Sequence, residues 1–284
     1  MQKFANVLIY TVFIISILSL NIIAQENKIS WQKSEETESE QLHLFHSTHS
    51  INLPTAETNQ QGDIEFEISH RFIPRISDGI DALYGFDGPV NIKLSLGYAI
   101  TDYLIATIAR SNVDDNLLFK TKYQFFQFDN VIFPIQIALE GGAAWNTDPI
   151  GRSSDDNKNF QYYGQLIFNS LIEQKLGIGL VPTYSYNSHI YCPEKQYSFT
   201  LGAYMQYYLT DLFSVLAEWN PTVTGFRDKY NSLSFGFELE TGGHFFKIIF
   251  TNNTKLNPTQ FTTGADLPIS LKNMRIGFNI TRLL

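Results

Sequence analysis

Alternating apolar and polar positions dominate this chain from Asp63 to Leu284. In residues 64–72, every second residue is apolar or aromatic, and charged or polar residues stand between them. Successive side chains of a strand point to opposite faces, so a period of two predicts strands with one apolar and one polar face. The apolar face of this first segment carries Ile64, Phe66, Ile68, His70 and Phe72.

Twelve such segments follow one another, and the connections between them alternate between long and short. Outer-membrane β-barrels have an even number of antiparallel strands, tight turns on one side and longer loops on the other. The pattern therefore predicts an all-β, up-and-down antiparallel transmembrane β-barrel of twelve strands, with both barrel ends on the short-turn side. The fifth segment is predicted to begin at Val131, with Pro134 near its start. A soluble periplasmic β-sandwich that acts as a binding protein is the competing fold.

Three regions divide the chain. Residues 1–24 have a positive Lys3, a long apolar run and Ala24 before the expected cleavage point, which predicts an export signal peptide. An uncleaved membrane anchor is the alternative, because the apolar run is long for a signal. Residues 25–62 are polar and lack a sustained period, so we expect a flexible periplasmic leader, ordered from about Leu42 onward. Residues 63–284 form the predicted barrel.

Composition agrees with an exported barrel and excludes some functions. The net charge is −8, and loss of Lys3 with the signal takes it to −9, which argues against nucleic-acid binding. The single Cys192 cannot form an internal disulfide. Aromatic residues make up 14% of the chain, which is typical of a barrel with aromatic girdles at two membrane interfaces. We therefore expect the outer membrane of a Gram-negative-type bacterium as the location.

Charged residues on the predicted lumen face form a candidate site. The first and last strands must pair to close the barrel, so charges on these strands and their neighbours should meet at the closure seam. Such a patch could set the selectivity of a narrow pore, or it could be a charge network that fills a small lumen. The lumen charge patch consists of Glu65, Glu67, Arg71, Lys93, Glu238, Glu240, Lys247 and Arg275.

Two histidines fall on the predicted lipid-facing side. His70 is expected near the rim on the long-loop side and His244 near the opposite rim, so the two should not share a metal or catalytic site. We interpret them as interface anchors, because an amphipathic ring suits a membrane–water boundary.

No metal or cofactor is predicted. His43, His46 and His49 recur every three residues, but the segment has no helical pattern to align them on one ion. The loop at 155–159 has oxygen ligands suited to Ca²⁺, yet turn residues explain it equally well. Sequence motifs for hydrolases, zinc sites, redox pairs and phosphate loops are missing from the chain.

Several stretches resemble a family of bacterial outer-membrane β-barrel proteins defined only as a domain of unknown function. The most specific is Glu240-Thr241-Gly242-Gly243-His244, and Ser69-His70-Arg71-Phe72 also carries the resemblance. The resemblance extends from about residue 50 to the end and implies a barrel, but it implies no activity. Family members tend to end in an aromatic residue, and this chain departs from that with Leu284.

We therefore expect a non-catalytic barrel: a narrow passive channel, or a filled barrel with a binding or scaffold role. An outer-membrane lipid-modifying enzyme is the alternative, with His70, His189 or His244 acting at a rim. The expected partner is outer-membrane lipid, with small solutes or an envelope protein as further candidates.

Overall fold

The computed structural model describes residues 41–284; the predicted export signal and residues 25–40 of the predicted leader lie outside the described residues. Within residues 41–284, thirteen antiparallel strands make up almost all of the regular structure. The strands are β1 Ile64–Phe72, β2 Val90–Thr101, β3 Leu104–Ser111, β4 Asn116–Phe128, β5 Ile135–Asn146, β6 Phe160–Ile172, β7 Leu176–Tyr186, β8 Tyr197–Tyr208, β9 Phe213–Asn220, β10 Thr222–Gly225, β11 Ser232–Glu240, β12 His244–Thr251 and β13 Arg275–Leu283.

Twelve of these strands close into a barrel. Each pairs with its neighbours in the chain, β1 pairs with β13, and β8 pairs with β9, so the sheet has no free edge at these strands. The thirteenth strand, β10, is a short extension that pairs with β8 inside a connection predicted as loop. Ile64 exchanges backbone hydrogen bonds with Leu284, so both barrel ends lie on the short-turn side, as predicted.

The two faces of the wall differ as the period-two pattern predicted. On β1 the apolar set faces outward, and Glu67, Ser69 and Arg71 are buried inside. Large apolar side chains stand exposed on the outer wall of the isolated chain, where a membrane would cover them. Among the described residues no helix is long and apolar enough to cross a membrane.

The predicted start of the fifth strand was wrong. β5 begins at Ile135, because Pro134 has no N–H for the sheet and the side chain of Asn130 accepts hydrogen bonds from the backbone N–H groups of Ile132 and Phe133. The strict alternation of connection lengths fails here too, since residues 129–134 make a longer turn than residues 112–115 on the opposite side.

Two segments occupy the lumen. Residues 42–58, here called the inner hairpin, form a bend closed by a hydrogen bond from Ser50 N to Leu53 O at 2.8 Å. Its first residue contacts Gln127 at the end of β4, and Thr58 donates to the carbonyl of Asp102 in the β2–β3 turn. Both ends of the inner hairpin therefore lie at the short-turn end.

The second segment, residues 252–265, is called the outer plug. It lies between β12 and β13, is almost wholly buried, and contains the single α-helix of the described chain, α1 Pro258–Phe261. Side-chain amides of Asn91, Asn116 and Asn220 bond to it from three sides of the wall. Short 3₁₀ segments lie at Ile76–Gly85, Val113–Asp115, Asn157–Asn159 and Leu271–Asn273.

Residues 42–58 lie in the part of the predicted leader for which order was expected from about Leu42 onward. Most of them are buried inside the barrel, a location that the sequence pattern did not indicate. Their lack of periodicity has a physical cause. An irregular buried segment must still pair its backbone N–H and C=O groups. Here side chains of the wall supply those partners, so the segment needs no repeating pattern of its own.

Candidate functional site in the plugged lumen

Two wall lysines hold the inner hairpin by its carbonyl groups. Lys122 on β4 donates to the carbonyls of Thr48 and Thr55 at 2.9 and 3.0 Å. Lys247 on β12 donates to the carbonyls of His49 and Ser50, both at 2.6 Å, and to the hydroxyl of Ser47. Charged donors make the stronger class of hydrogen bond, so these contacts fix both arms of the hairpin.

A wall glutamate holds the tip of the hairpin by its N–H groups. The carboxylate of Glu218 on β9 accepts from the backbone nitrogens of Ile51, Asn52 and Leu53 at 3.2, 2.9 and 2.9 Å. The side chain of Asn52 donates to it at 3.1 Å. Three successive N–H groups directed at one anion form a nest, an arrangement that suits a buried carboxylate.

Wall glycines make room for the apolar side chains of the hairpin. A Cβ atom on Gly177 would lie 2.6 Å from the ring of Phe45, and one on Gly202 would lie 2.7 Å from Leu53 Cδ1. Phe45 and Leu53 belong to one buried apolar cluster that also contains Phe261 of the outer plug. The wall therefore matches the shape of the inner hairpin, and the hairpin shares an apolar cluster with the outer plug.

The predicted lumen charges are mostly buried inside the barrel, where several of them form pairs. Lys93 pairs with Glu67 at 3.1 Å on β1 and β2. Lys247 pairs with Glu238 at 3.2 Å on β11 and β12. Arg71 donates to Asn52 of the hairpin and to Asn279 of the wall.

Three members of the predicted patch lie apart from these pairs. Arg275 forms a bidentate pair with Asp266 next to the outer plug, with both distances 2.7 Å. Glu65 accepts from the hydroxyl of Thr48 at the hairpin. Glu240 accepts from N–H groups of the tight β11–β12 turn and is partly exposed. The predicted residues are thus divided among several contacts, and their action as one patch stays a prediction.

The link between Asp266 and Arg275 lies outside the strand core. Burial disfavours the charged form of Asp266, but the hydrogen bonds and charge of Arg275 outweigh it and hold the pKa of Asp266 below its usual range. The pair therefore ties the end of the outer plug to the start of β13 while Asp266 is ionised.

Several wall residues with the same role were left out of the predicted patch. Lys120 pairs with Glu140 at 3.0 Å, and Glu140 also accepts from Tyr163 and Gln165. Lys120, Lys122, Glu140 and Glu218 all occupy inward positions of the period-two pattern, so the pattern could have found them. They were left out because the prediction considered only charges on the strands near the closure seam.

Little free volume remains between the two plugs. A cavity of about 40 Å³ lies between the inner hairpin and the outer plug, bordered by Glu67, Lys93, Lys120, Lys122 and Glu140. It has room for roughly three water molecules, at about 10–15 Å³ of such volume each. This cavity is too small to hold a solute larger than a few water molecules.

The three hairpin histidines face three different carboxylates. The contacts are His43 to Glu57 at 2.9 Å, His46 to Glu238 at 3.3 Å and His49 to Glu67 at 3.8 Å. They do not converge on one point. Within residues 41–284 there is no group of three or more His, Cys, Asp or Glu that could hold a metal ion.

The remaining three histidines lie in different parts of the barrel and have different contacts. His70 stacks on Phe278 at 4.4 Å near the long-loop end of the outer face, and His244 opens β12 at the opposite end. His189 lies in the β7–β8 connection with its Nδ1 2.9 Å from the sulfur of Cys192. Burial and nearby Lys255 hold the pKa of His189 below its usual range. The anchoring role of His70 and His244 stays a prediction.

Comparison with known proteins identifies a family but no relative of known activity. The family model described as "Membrane bound beta barrel domain (DUF5777)" matches residues 45–284. No curated protein matches the chain.

Among solved structures the chain resembles outer-membrane barrels of low sequence identity. The COG4313 outer membrane channel from Pseudomonas putida F1 aligns with a TM-score of 0.47 at 11% identity, over 81% of this chain and 98% of that one. The NanC porin aligns with a TM-score of 0.45 at 7% identity, over 78% and 98%. The outer membrane phospholipase A from Escherichia coli aligns with a TM-score of 0.40 at 10% identity, over 78% and 89%. Channels and an enzyme both occur among these similar structures, so the likeness does not distinguish one activity from another.

Proposed function

This chain belongs to the DUF5777 family of membrane-bound β-barrel domains, and from that premise we propose that it is a closed outer-membrane channel for small polar solutes. The inner hairpin and the outer plug hold it shut. The observation that carries the proposal is the nature of the contact between the inner hairpin and the wall, which is made largely by Lys122, Lys247 and Glu218.

Barrel size supports a lumen that something must occupy. Eight strands enclose an interior that side chains can fill, whereas 16 to 18 strands leave an aqueous channel. Twelve strands fall between these sizes, so either water or additional chain has to occupy the space. In this protein two segments of chain do so.

The polar character of the seat supports reversible closure. A permanent filling is most simply stabilised by apolar packing, since buried ion pairs add little net stability. Here the wall keeps charged groups that water would solvate if the hairpin left. The hairpin has both ends at the short-turn end, which is the periplasmic side of such barrels, so it can leave without opening the sheet.

Both plugs have to move before solutes pass. The inner hairpin bonds to side chains all round the wall, and the outer plug bonds to Asn91, Asn116 and Asn220 across the opposite end. Phe261 of the outer plug and Leu53 of the inner hairpin belong to one buried apolar cluster, so movement of one plug removes part of the support of the other.

Conductance in planar lipid bilayers tests the proposal. We expect the chain from residue 25 to 284 to be silent. A variant that lacks residues 42–58 and carries a short Gly-Ser linker in place of residues 252–265 should conduct in discrete steps. Each single-plug variant is the matched control and should stay closed or open only briefly. Heat-modifiable gel migration would verify that every variant is a folded barrel.

Two results would overturn the channel. A folded double variant that is silent at every voltage would favour a filled barrel with a binding or scaffold role. Steady conductance of the unaltered chain would show that the plugs do not close it. Replacing Glu67, Lys93 or Lys120 by neutral residues in the double variant should alter its ion selectivity, because these side chains would then line the path.

We also expect no catalytic activity toward lipids. His189 is directed at Cys192, and Ser185 bonds to Thr262 of the outer plug. His70 and His244 lie on the outer face at opposite ends. Lipid hydrolysis that the intact chain performs and the alanine variants of these histidines lose would contradict this expectation.

A further inference from the structure

Side chains of the wall bond to the backbone of every residue from Thr48 to Ala56 of the inner hairpin. Lys122, Lys247 and Glu218 make seven of these bonds, to the carbonyls and N–H groups already described. Three more complete the set: Asn279 Nδ2 to Ile51 O at 2.9 Å, Tyr204 Oη to Pro54 O at 3.1 Å, and Ala56 N to Asn169 Oδ1 at 2.6 Å.

Contacts that depend on the side chains of this stretch are fewer. The side chains of Thr48 and Asn52 bond to the wall, and His49 lies 3.8 Å from Glu67. Two backbone hydrogen bonds join the arms of the hairpin, from Ser50 N to Leu53 O and from Thr55 N to Thr48 O. The wall therefore supplies most of the backbone partners of nine successive residues.

This form of contact has a consequence for recognition. A buried segment has to pair its backbone, which explains why the bonds exist. Bonds to main-chain groups give affinity without reading the side chains, whereas pockets for side chains give specificity. A wall that binds nine successive residues by their backbone can therefore bind another peptide in the same place.

Two apolar positions set what such a peptide needs. Ile51 belongs to one buried cluster with Leu216 and Ile249 of the wall. At Leu53 the wall strand has Gly202, where a Cβ would lie 2.7 Å from Leu53 Cδ1. A bound peptide should therefore carry apolar side chains at these two positions and is otherwise free in sequence.

We propose that the solute of this channel is a short peptide that takes the place of residues 48–56 once the inner hairpin has left. The inference rests on the proposed function, since the hairpin has to leave the lumen first. Lys122, Lys247 and Glu218 then bind the carbonyls and N–H groups of the peptide as they bind those of the hairpin.

Direct binding to the mature chain, residues 25–284, tests the peptide separately from conductance. Gly202→Val crowds Leu53 and leaves the three charged side chains in place, so this variant should exchange its hairpin more readily. The probe is a synthetic peptide of residues 46–58 with Leu53→Ala, dye-labelled at its N-terminus and amidated at its C-terminus. Fluorescence anisotropy in detergent should show saturable binding, about tenfold tighter than to the unaltered chain.

Unlabelled competitors identify what is recognised. The first keeps only Ile51, Pro54 and the alanine at position 53, and its other residues are shuffled. The second carries an N-methyl group on the nitrogen of Asn52, which removes the N–H that bonds to Glu218 at 2.9 Å. The third, its matched control, carries the N-methyl group at Ser47, outside the stretch held through its backbone. The fourth is an oligosaccharide of similar mass.

The shuffled peptide should compete within a few fold of the probe sequence. The peptide methylated at Asn52 should compete about tenfold less well than the one methylated at Ser47, since a donor to a charged acceptor is lost. A shuffled peptide with free termini that competes as well as its capped form would identify a free peptide as the source. Preference for the capped form would indicate a segment of a protein and overturn the assignment as a solute.

Three further results would overturn the proposal: the chain's own sequence alone binds, methylation at Asn52 has no greater effect than at Ser47, or the oligosaccharide competes as well as the peptides. Gel migration verifies that Gly202→Val is a folded barrel. If it is not, the chain without residues 42–58 and the probe with its natural Leu53 take their place. A double variant that conducts while no peptide binds would overturn the peptide and leave the channel, whereas a silent double variant would overturn the channel itself.

Discussion

Glu218 is the wall residue whose substitution should release the inner hairpin most directly. Its two carboxylate oxygens accept four hydrogen bonds, from the backbone of residues 51–53 and from the side chain of Asn52. Glu218→Gln keeps the size of the side chain but leaves one oxygen, which can accept about two bonds. About two donors of the closed hairpin then lose their partner.

The size of the effect follows from that count. A buried donor without a partner costs about 1–3 kcal/mol, so two cost about 2–6 kcal/mol. Since each 1.4 kcal/mol is about a factor of ten, hairpin opening should become at least about 30-fold more frequent. The effect acts on the closed state only, because water satisfies the same donors once the hairpin has left.

Cysteine labelling at the hairpin tip measures that opening. Ser50 is fully buried and its hydroxyl has no protein partner, so Ser50→Cys loses no side-chain hydrogen bond. In a Cys192→Ser background this is the single thiol of the chain. The rate at which a water-soluble maleimide labels the folded protein should rise at least about 30-fold when Glu218→Gln is added.

The matched control is Glu240→Gln. Glu240 also accepts two backbone N–H groups, at 2.7 and 3.2 Å, but these belong to the tight turn between β11 and β12. It should leave labelling of position 50 unchanged. An intact barrel in which Glu218→Gln does not accelerate labelling would refute the role of Glu218 as the hairpin's anion. Equal acceleration by Glu240→Gln would show that the assay reports general loosening.

Other perturbations test the remaining contacts. Gly202→Val should accelerate labelling at the hairpin tip, since its Cβ would lie 2.7 Å from Leu53 Cδ1, and unchanged labelling would argue against the shaped seat. Lys247→Met removes three donors to the hairpin and should do the same; a slower rate would contradict the assigned contacts. Arg275 lowers the pKa of Asp266, so their link stabilises the outer plug fully at pH values above about 3.9, the ordinary pKa of aspartate. This stabilisation is lost as the pH falls through the lowered pKa. Hydrogen exchange of the outer plug, corrected for its intrinsic pH dependence, should therefore rise at acid pH, and Asp266→Asn should remove that step.

The barrel itself could be predicted because the residues of each strand alternate between apolar side chains that face outward and polar side chains that face the lumen. On β1 the outward residues are apolar and the inward ones are Glu65, Glu67, Ser69 and Arg71, and the structure has the same assignment. The twelve-strand count was confirmed for the same reason. The error in the predicted start of β5 at Val131 is local. A short apolar run continues the alternating pattern there, but Pro134 and the turn around Asn130 prevent strand pairing before Ile135.

The inner hairpin could not be predicted, because its partners are distant in sequence. The backbone of Leu53 bonds to Glu218, and the backbone of Ala56 bonds to Asn169. No local periodicity encodes bonds between a chain segment and side chains more than 100 positions away. A polar stretch such as 42–58 therefore has the composition of a disordered leader although it is buried.

The buried charges of the wall have a simpler explanation once the hairpin is taken into account. A pore-lining charge acts on passing ions, whereas Lys122, Lys247 and Glu218 act on backbone groups of the chain's own N-terminal segment. In the proposed channel the same side chains would serve both purposes in turn, because a charge that pairs with a carbonyl or an N–H in the closed state would be left facing water in the open state.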